Sequence, residues 1–205
     1  VNSMCLSSFA LVGLKMAEAK ELPGMREVIV KLGTEALDVG QKLGYKPERM
    51  IRAPYCIENK RFREQAEALR PDRAEIRKAF GIPEDAFCFL SVGKFIPKKR
   101  PLDIVAGIAK LQEKHPHKKV HMLWVGTGEL NDALHEACNT RYDADKGILP
   151  GDGSNKPAAS FAGFLNQSEI ARAYVAADAL VLPSDAKETW GLVTNEAMAS
   201  GLPCI

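Results

Sequence analysis

The stretch Ser184-Asp-Ala-Lys-Glu-Thr-Trp-Gly-Leu-Val-Thr-Asn-Glu-Ala-Met-Ala-Ser-Gly-Leu-Pro203 sets two glutamates, Glu188 and Glu196, eight positions apart across a turn that opens a helix. Before it, Ala179-Leu-Val-Leu182 is a short apolar run closed by Pro183, the pattern of a buried strand. After Gly191, the residues Leu192, Val193, Ala197 and Met198 recur at helical spacing, and Gly201 with Pro203 supplies the stop signal. Glu188 therefore falls in a strand-to-helix loop and Glu196 in the second turn of the helix. Helical side chains lean toward the N-terminus, so Glu196 is expected to point back at the mouth where Glu188 lies. Unpaired N–H groups and the positive end of the helix dipole face the same mouth and suit phosphate. Phosphate affinity beside two carboxylates fits a ligand with both phosphate and hydroxyl groups, such as a nucleotide sugar.

Outward from this stretch, strands and helices alternate, which predicts an α/β fold with a parallel sheet covered by helices on both faces. Strands are expected at 28–30, 50–53, 87–92, 120–125, 160–162 and 179–182, and helices at 34–43, 101–111, from Gly128 to about Cys138, and 168–176. Pro101 begins its helix at the position where proline is tolerated. The tract 55–85 is rich in charge and reads as a crossover between domains, not as a core element. Residues 140–158, dominated by Asp, Gly, Pro and Asn, read as loop.

The chain has 205 residues, room for one to two domains, and a net charge of +2, which argues against a dominant nucleic-acid-binding face. No apolar run reaches membrane-spanning length. The opening Met4–Ala17 stretch is apolar but lacks a basic n-region, so it reads as a core helix and not as a signal peptide. Five scattered cysteines without a C-x-x-C pair suit free thiols in a reducing cytoplasm. The sequence opens at Val1 and stops at Ile205, where another strand is expected; it reads as a piece of a longer protein.

Glu188-Thr-Trp-Gly-Leu-Val-x-x-Glu196-Ala-Met-Ala-x-Gly-Leu-Pro resembles the E-x7-E signature of retaining glycosyltransferases with the GT-B fold. Two more segments agree in order. Val92-Gly-Lys-Phe-Ile-Pro-Lys-Lys-Arg-Pro-Leu-Asp103 resembles that family's phosphate-gripping loop, and Phe161-Ala-Gly-Phe164 its nucleobase loop. The resemblance implies a truncated Rossmann-like GT-B fold. Residues 1–53 would end the acceptor domain, 54–85 form the inter-domain crossover, and 86–205 make up most of the nucleotide-sugar domain.

The resemblance also implies roles. Lys94 and Lys99 would neutralise a diphosphate leaving group; the family places arginine at the first position, so Lys94 keeps the charge without the bidentate fork. Glu196 would accept hydrogen bonds from both ribose hydroxyls, and Glu188 would lie nearer the transferred sugar. Glu188 and Lys99 are the candidates for direct participation in the chemistry. Thr189, Trp190, Gly191 and Leu192 would surround the sugar phosphate, Gly163 and Phe164 the base, and Gly126 the wall of the cleft. The competing structural readings are a solvated basic loop for the lysines, an exposed pair on an amphipathic helix for the glutamates, and core packing for Trp190 and the phenylalanines.

No metal and no cofactor are expected, since basic side chains and the helix dipole would stand in for a cation. Asp143-Ala-Asp145 matches a D-x-D metal motif but is expected after a helix, in a polar loop. His115, His117 and His121 are expected in a solvated turn before a strand. The function so read is transfer of a hexose from a UDP- or GDP-linked donor to a saccharide or other hydroxyl acceptor, with retention. The setting would be the cytoplasm, with peripheral contact to the inner membrane face allowed. A GT-B sugar phosphorylase and a non-catalytic nucleotide-binding subunit are the alternatives.

Overall fold

A computed structural model describes residues 57–185 and 191–205. The expected strands and helices upstream of Ile57 lie outside these residues. Six strands form one sheet: β1 (Phe87–Val92), β2 (Val120–Val125), β3 (Asn139–Asp143), β4 (Gly147–Ile148), β5 (Ala158–Phe161) and β6 (Ala179–Leu180), in the order β4-β3-β5-β2-β1-β6. Every pairing is parallel except β3 with β4. Past β6, Pro203–Ile205 begins a further parallel line against Leu180.

Among the described residues six α-helices flank the sheet: α1 (Asn59–Leu69), α2 (Arg73–Ala79), α3 (Pro101–Lys114), α4 (Asn131–Ala137), α5 (Ile170–Ala176) and α6 (Leu192–Ala199). β2, Val-His-Met-Leu-Trp-Val, is buried along its whole length, as a central parallel strand with helices on both faces must be. Its side chains alternate between two cores. Leu123 and Val125 join Leu90, Phe62, Tyr174 and Ala197 on the face covered by α1, α2, α5 and α6. Met122 and Trp124 join Phe95, Ile104, Leu134 and Phe161 on the face covered by α3 and α4. Among the described residues no helix is long and apolar enough to cross a membrane.

Two expectations are corrected. The 57–82 stretch is core-forming: Phe62, Ala66, Ile76, Phe80 and Ile82 are all buried. A charged amphipathic face hides this in the sequence, because α1 and α2 each bury only a narrow stripe. Residues 140–158 are not all loop. Asn139–Asp143 runs parallel to β5 and turns back as β4, with a register shift between Thr140 and Tyr142. An edge hairpin this short leaves little periodicity to read among its Asp and Gly residues.

A buried ion network locks the layers. Arg77 is 2% exposed and donates from Nη1 to Ala176 O at 2.8 Å and to Asp178 Oδ2 at 3.2 Å, and from Nη2 to Pro83 O at 2.7 Å. Arg73 Nη2 donates to Asp178 Oδ1 at 2.7 Å, and Cys88 N–H donates to Asp178 Oδ2 at 2.8 Å. One carboxylate thus ties α2, the start of β1 and the α5–β6 turn together.

Candidate functional site

The chain order of the strands decides where a ligand can enter. From β1 the chain moves outward through β2 to the β3–β4 edge, sets β5 between β2 and β3, then returns across the sheet to place β6 on the other side of β1. The loops leaving β1 and β6 diverge to opposite sides, and this opens a crevice at the carboxyl ends, the usual binding position of such sheets. Both basic and acidic motifs leave the sheet at this switch point.

On the β1 side, Gly93 (φ 143°) leads into Lys94, which is exposed, and Pro97–Lys99 forms a single 3-10 turn. Arg100 then takes a left-handed conformation (φ 49°), the only non-glycine residue to do so among those described, and Pro101 starts α3. This reversal folds the lysine back: Lys99 Cε stands 4.0 Å from where a Cβ on Gly93 would be.

Glycines let neighbouring loops touch. A Cβ on Gly126 would lie 2.0 Å from Gly93 O, and one on Gly128 2.5 Å from Phe95 O. Gly126 N–H donates to Gly163 O at 2.7 Å, and Phe95 N–H donates to Thr127 O at 3.1 Å. The loops after β1, β2 and β5 therefore meet, bringing Lys94, Lys99, Gly126 and Gly163 to one edge. Phe164 stands beside Gly163, 80% exposed. Across the switch point, Asp185 N–H donates to Lys98 O at 3.1 Å, so the loop after β6 is stitched to the basic loop.

On the β6 side, Gly191 sits in the left-handed region (φ 56°) and caps α6 without a side-chain capping bond, with Leu192 as the first helical residue. Glu196 lies in the second turn, half-buried, and accepts a hydrogen bond from Tyr174 Oη at Oε2, 2.7 Å. Burial, then the negative charge of Glu196 and its hydrogen bond, raises the Tyr174 phenol well above its ordinary pKa. Glu188, Thr189 and Trp190 lie outside the described residues.

Several residues that shape this edge or meet its side chains escaped the sequence reading. Gly93 makes the close loop approach possible, and its position between a strand and Lys94 was the available signal. Tyr174 is the single polar atom aimed inward from an apolar helix. The tip of the β3–β4 hairpin also borders the crevice: Ala144 N–H donates to Phe161 O at 2.9 Å, and a Cβ on Gly163 would be 3.3 Å from Ala144 Cβ.

Two further placements differ from expectation. Asp143 ends a strand, not a helix–loop segment, and its carboxylate accepts from Asp145 N–H at 2.9 Å and faces His135 Nε2 at 3.6 Å. His121 is no solvated turn residue: it is 1% exposed on β2, with Nε2 2.7 Å from Ser160 Oγ. Among the described residues no group of three His, Cys, Asp or Glu side chains could hold a metal ion.

Residues 72–205 match the family model described as glycosyl transferases group 1. The chain is 31% identical over 136 residues to a D-inositol 3-phosphate glycosyltransferase of a Nocardioides species, which covers 65% of this chain and 29% of that protein. It is 27% identical over 134 residues to an uncharacterized glycosyltransferase of Methanocaldococcus jannaschii, covering 65% and 30%. The chain therefore spans about 30% of the length of these relatives. Among solved structures, WaaG, a glycosyltransferase involved in lipopolysaccharide biosynthesis, shares the fold at a TM-score of 0.56 and 24% identity, over 82% of this chain and 40% of that one.

Proposed function

The chain belongs to the glycosyl transferases group 1 family, and from that membership we propose that it supplies the donor half of a retaining hexosyltransferase using a nucleoside diphosphate sugar. Residues 86–205 form the donor domain in this reading and 1–53 end the acceptor domain; the stretch between them crosses over and, over 57–82, packs into the donor domain's core. The observation that carries the proposal is the stitched pair of loops at the switch point, basic on the β1 side and opening the glutamate helix on the β6 side.

In the proposed reaction the bond between the anomeric carbon and the β-phosphate oxygen breaks. The acceptor oxygen bonds to that carbon from the same face, and the acceptor's proton passes to the departing phosphate. Lys99 and Lys94 stabilise the charge that develops on the diphosphate, with the amino end of α6 adding its dipole. Glu196 holds the ribose hydroxyls, and Glu188 is assigned to the sugar and the developing positive charge at its anomeric carbon. The ribose clamp favours this reading over a sugar phosphorylase, whose phosphate substrate has no ribose to hold.

Calorimetric titration of the 205-residue chain with UDP, GDP and ADP tests the donor site. One nucleotide is expected to bind saturably. Lys99→Ala and Glu196→Ala each remove a charged contact and are expected to weaken it by on the order of tenfold to a hundredfold. Absence of binding by a folded chain overturns the reading. For the full-length enzyme, an inverted product anomer by NMR overturns retention.

A further inference from the structure

The hydroxyl of Tyr174 reaches Glu196, while the ring belongs to the core. Tyr174 is 2% exposed and its ring meets Phe62 edge-on, with centroids 6.2 Å apart and planes at 71°. Phe62, Ala173, Val175 and Leu180 belong to the same buried cluster and hold the ring in place. A buried phenol must still find an acceptor for its O–H. It finds Glu196 Oε2 at 2.7 Å, and no other hydrogen bond to the Glu196 side chain occurs among the described residues. The backbone of Glu196 is fixed as well, since its carbonyl accepts from both Ser200 N–H and Ser200 Oγ.

A glutamate at a crevice mouth would otherwise sample several rotamers, and a ligand would have to order it. Here one carboxylate oxygen is held by a rigid post set in the core, leaving Oε1 as the oxygen not engaged by the phenol. We infer that Tyr174 is a positioning residue: its hydroxyl fixes Oε2 of Glu196 so that Oε1 is presented, already ordered, to the vicinal hydroxyls of the ligand's ribose. The inference rests on the donor-site reading above. It makes the preference for ribose over deoxyribose a joint property of two residues, only one of which touches the ligand.

Calorimetry of the 205-residue chain with UDP and GDP, each against its 2′-deoxy form, separates the two claims. The unaltered chain is expected to prefer the ribonucleotide by roughly tenfold or more, the effect of a charge-assisted hydrogen bond. Tyr174→Phe should cut that preference to about threefold or less, with binding of the 2′-deoxy form unchanged. Adding Tyr174→Phe to Glu196→Gln should change nothing further if the phenol acts through the carboxylate. Replacement of Tyr174 by 4-aminophenylalanine, which keeps a donor on the same ring, should retain the preference.

An unchanged preference in Tyr174→Phe overturns the inference, as does equal weakening of both sugars or a further loss in the double variant. If the Tyr174→Phe chain no longer folds by circular dichroism, the 4-aminophenylalanine chain decides: a retained preference supports the inference and a lost preference overturns it. If the unaltered chain binds nucleotide without preferring ribose, or binds none, the role given to Glu196 fails first, and that result is distinct from any effect at Tyr174.

Discussion

His121 carries a proton equilibrium that the fold suppresses. Its Nε2 faces Ser160 Oγ, which itself donates to Phe80 O at 2.6 Å, so Nε2 is the donor; Nδ1 has no partner among the described residues. Burial, aided by the charges of Arg77 and Arg141, pushes the imidazole down from 6.5 to about 3. Above pH 6.5 both folded and unfolded chains hold it neutral and it has no effect. Below that value the unfolded chain takes up a proton that the folded chain refuses, so stability falls with pH until the folded site titrates. The loss attributable to this residue between pH 7 and pH 5 is about 2 kcal/mol. Urea unfolding at the two values should find that extra slope absent in His121→Gln. The sequence groups His121 with His115 and His117 because Pro116 and two lysines around them read as a solvated turn; the strand begins at Val120, and one residue further the side chain faces inward. Spacing at the edge of an element cannot resolve that step.

At the scale of elements, Arg77 joins α2 to three other segments, and its guanidinium has no water to fall back on. Arg77→Met takes a charged donor away from the carbonyls of Ala176, Pro83 and Ala86 and leaves the Asp178 carboxylate to Arg73 and Cys88 N–H alone, so it should lower unfolding free energy by about 3–5 kcal/mol. Chemical denaturation at neutral pH measures this, and a change below about 1 kcal/mol would mean the network is structurally idle. An arginine in a charged tract is indistinguishable by sequence from its exposed neighbours Arg63 and Lys78; only the packing of α2 selects it. By contrast, β1, β2, α3 and α6 were legible, since apolar runs and stop signals mark them directly. The placement of Glu196 in the second turn of α6 and of Lys99 in the turn after β1 was legible for a related reason: strand ends and helix starts mark those positions. Tyr174 was not, because its partner lies on another helix, 22 positions away.

Across the whole molecule, protection should grade outward from β2. That strand is bonded to β1 and β5 on either side and buried throughout, whereas β4 has two residues and one neighbour. Amide hydrogen exchange is expected to be slowest in β2 and β1 and fastest in β4; comparable rates in β2 and β4 would contradict a single cooperative sheet. The order of the strands, which creates the crevice, could not be read from local pattern. Alternation of strands and helices predicts a parallel sheet, but the return from β5 to β6 across β1 is a long-range pairing. The resemblance in three loop motifs supplied what periodicity lacked.

The cradle at the carboxyl edge is joined by main-chain atoms: Gly126 to Gly163, Phe95 to Thr127, Asp185 to Lys98. A scaffold joined that way tolerates exchange of the side chains it displays. Lys94 or Phe164 could be traded for other residues without dismantling the loops that present them. Descent and laboratory evolution alike can therefore change what this edge displays through single codon changes, while the architecture itself stays inherited.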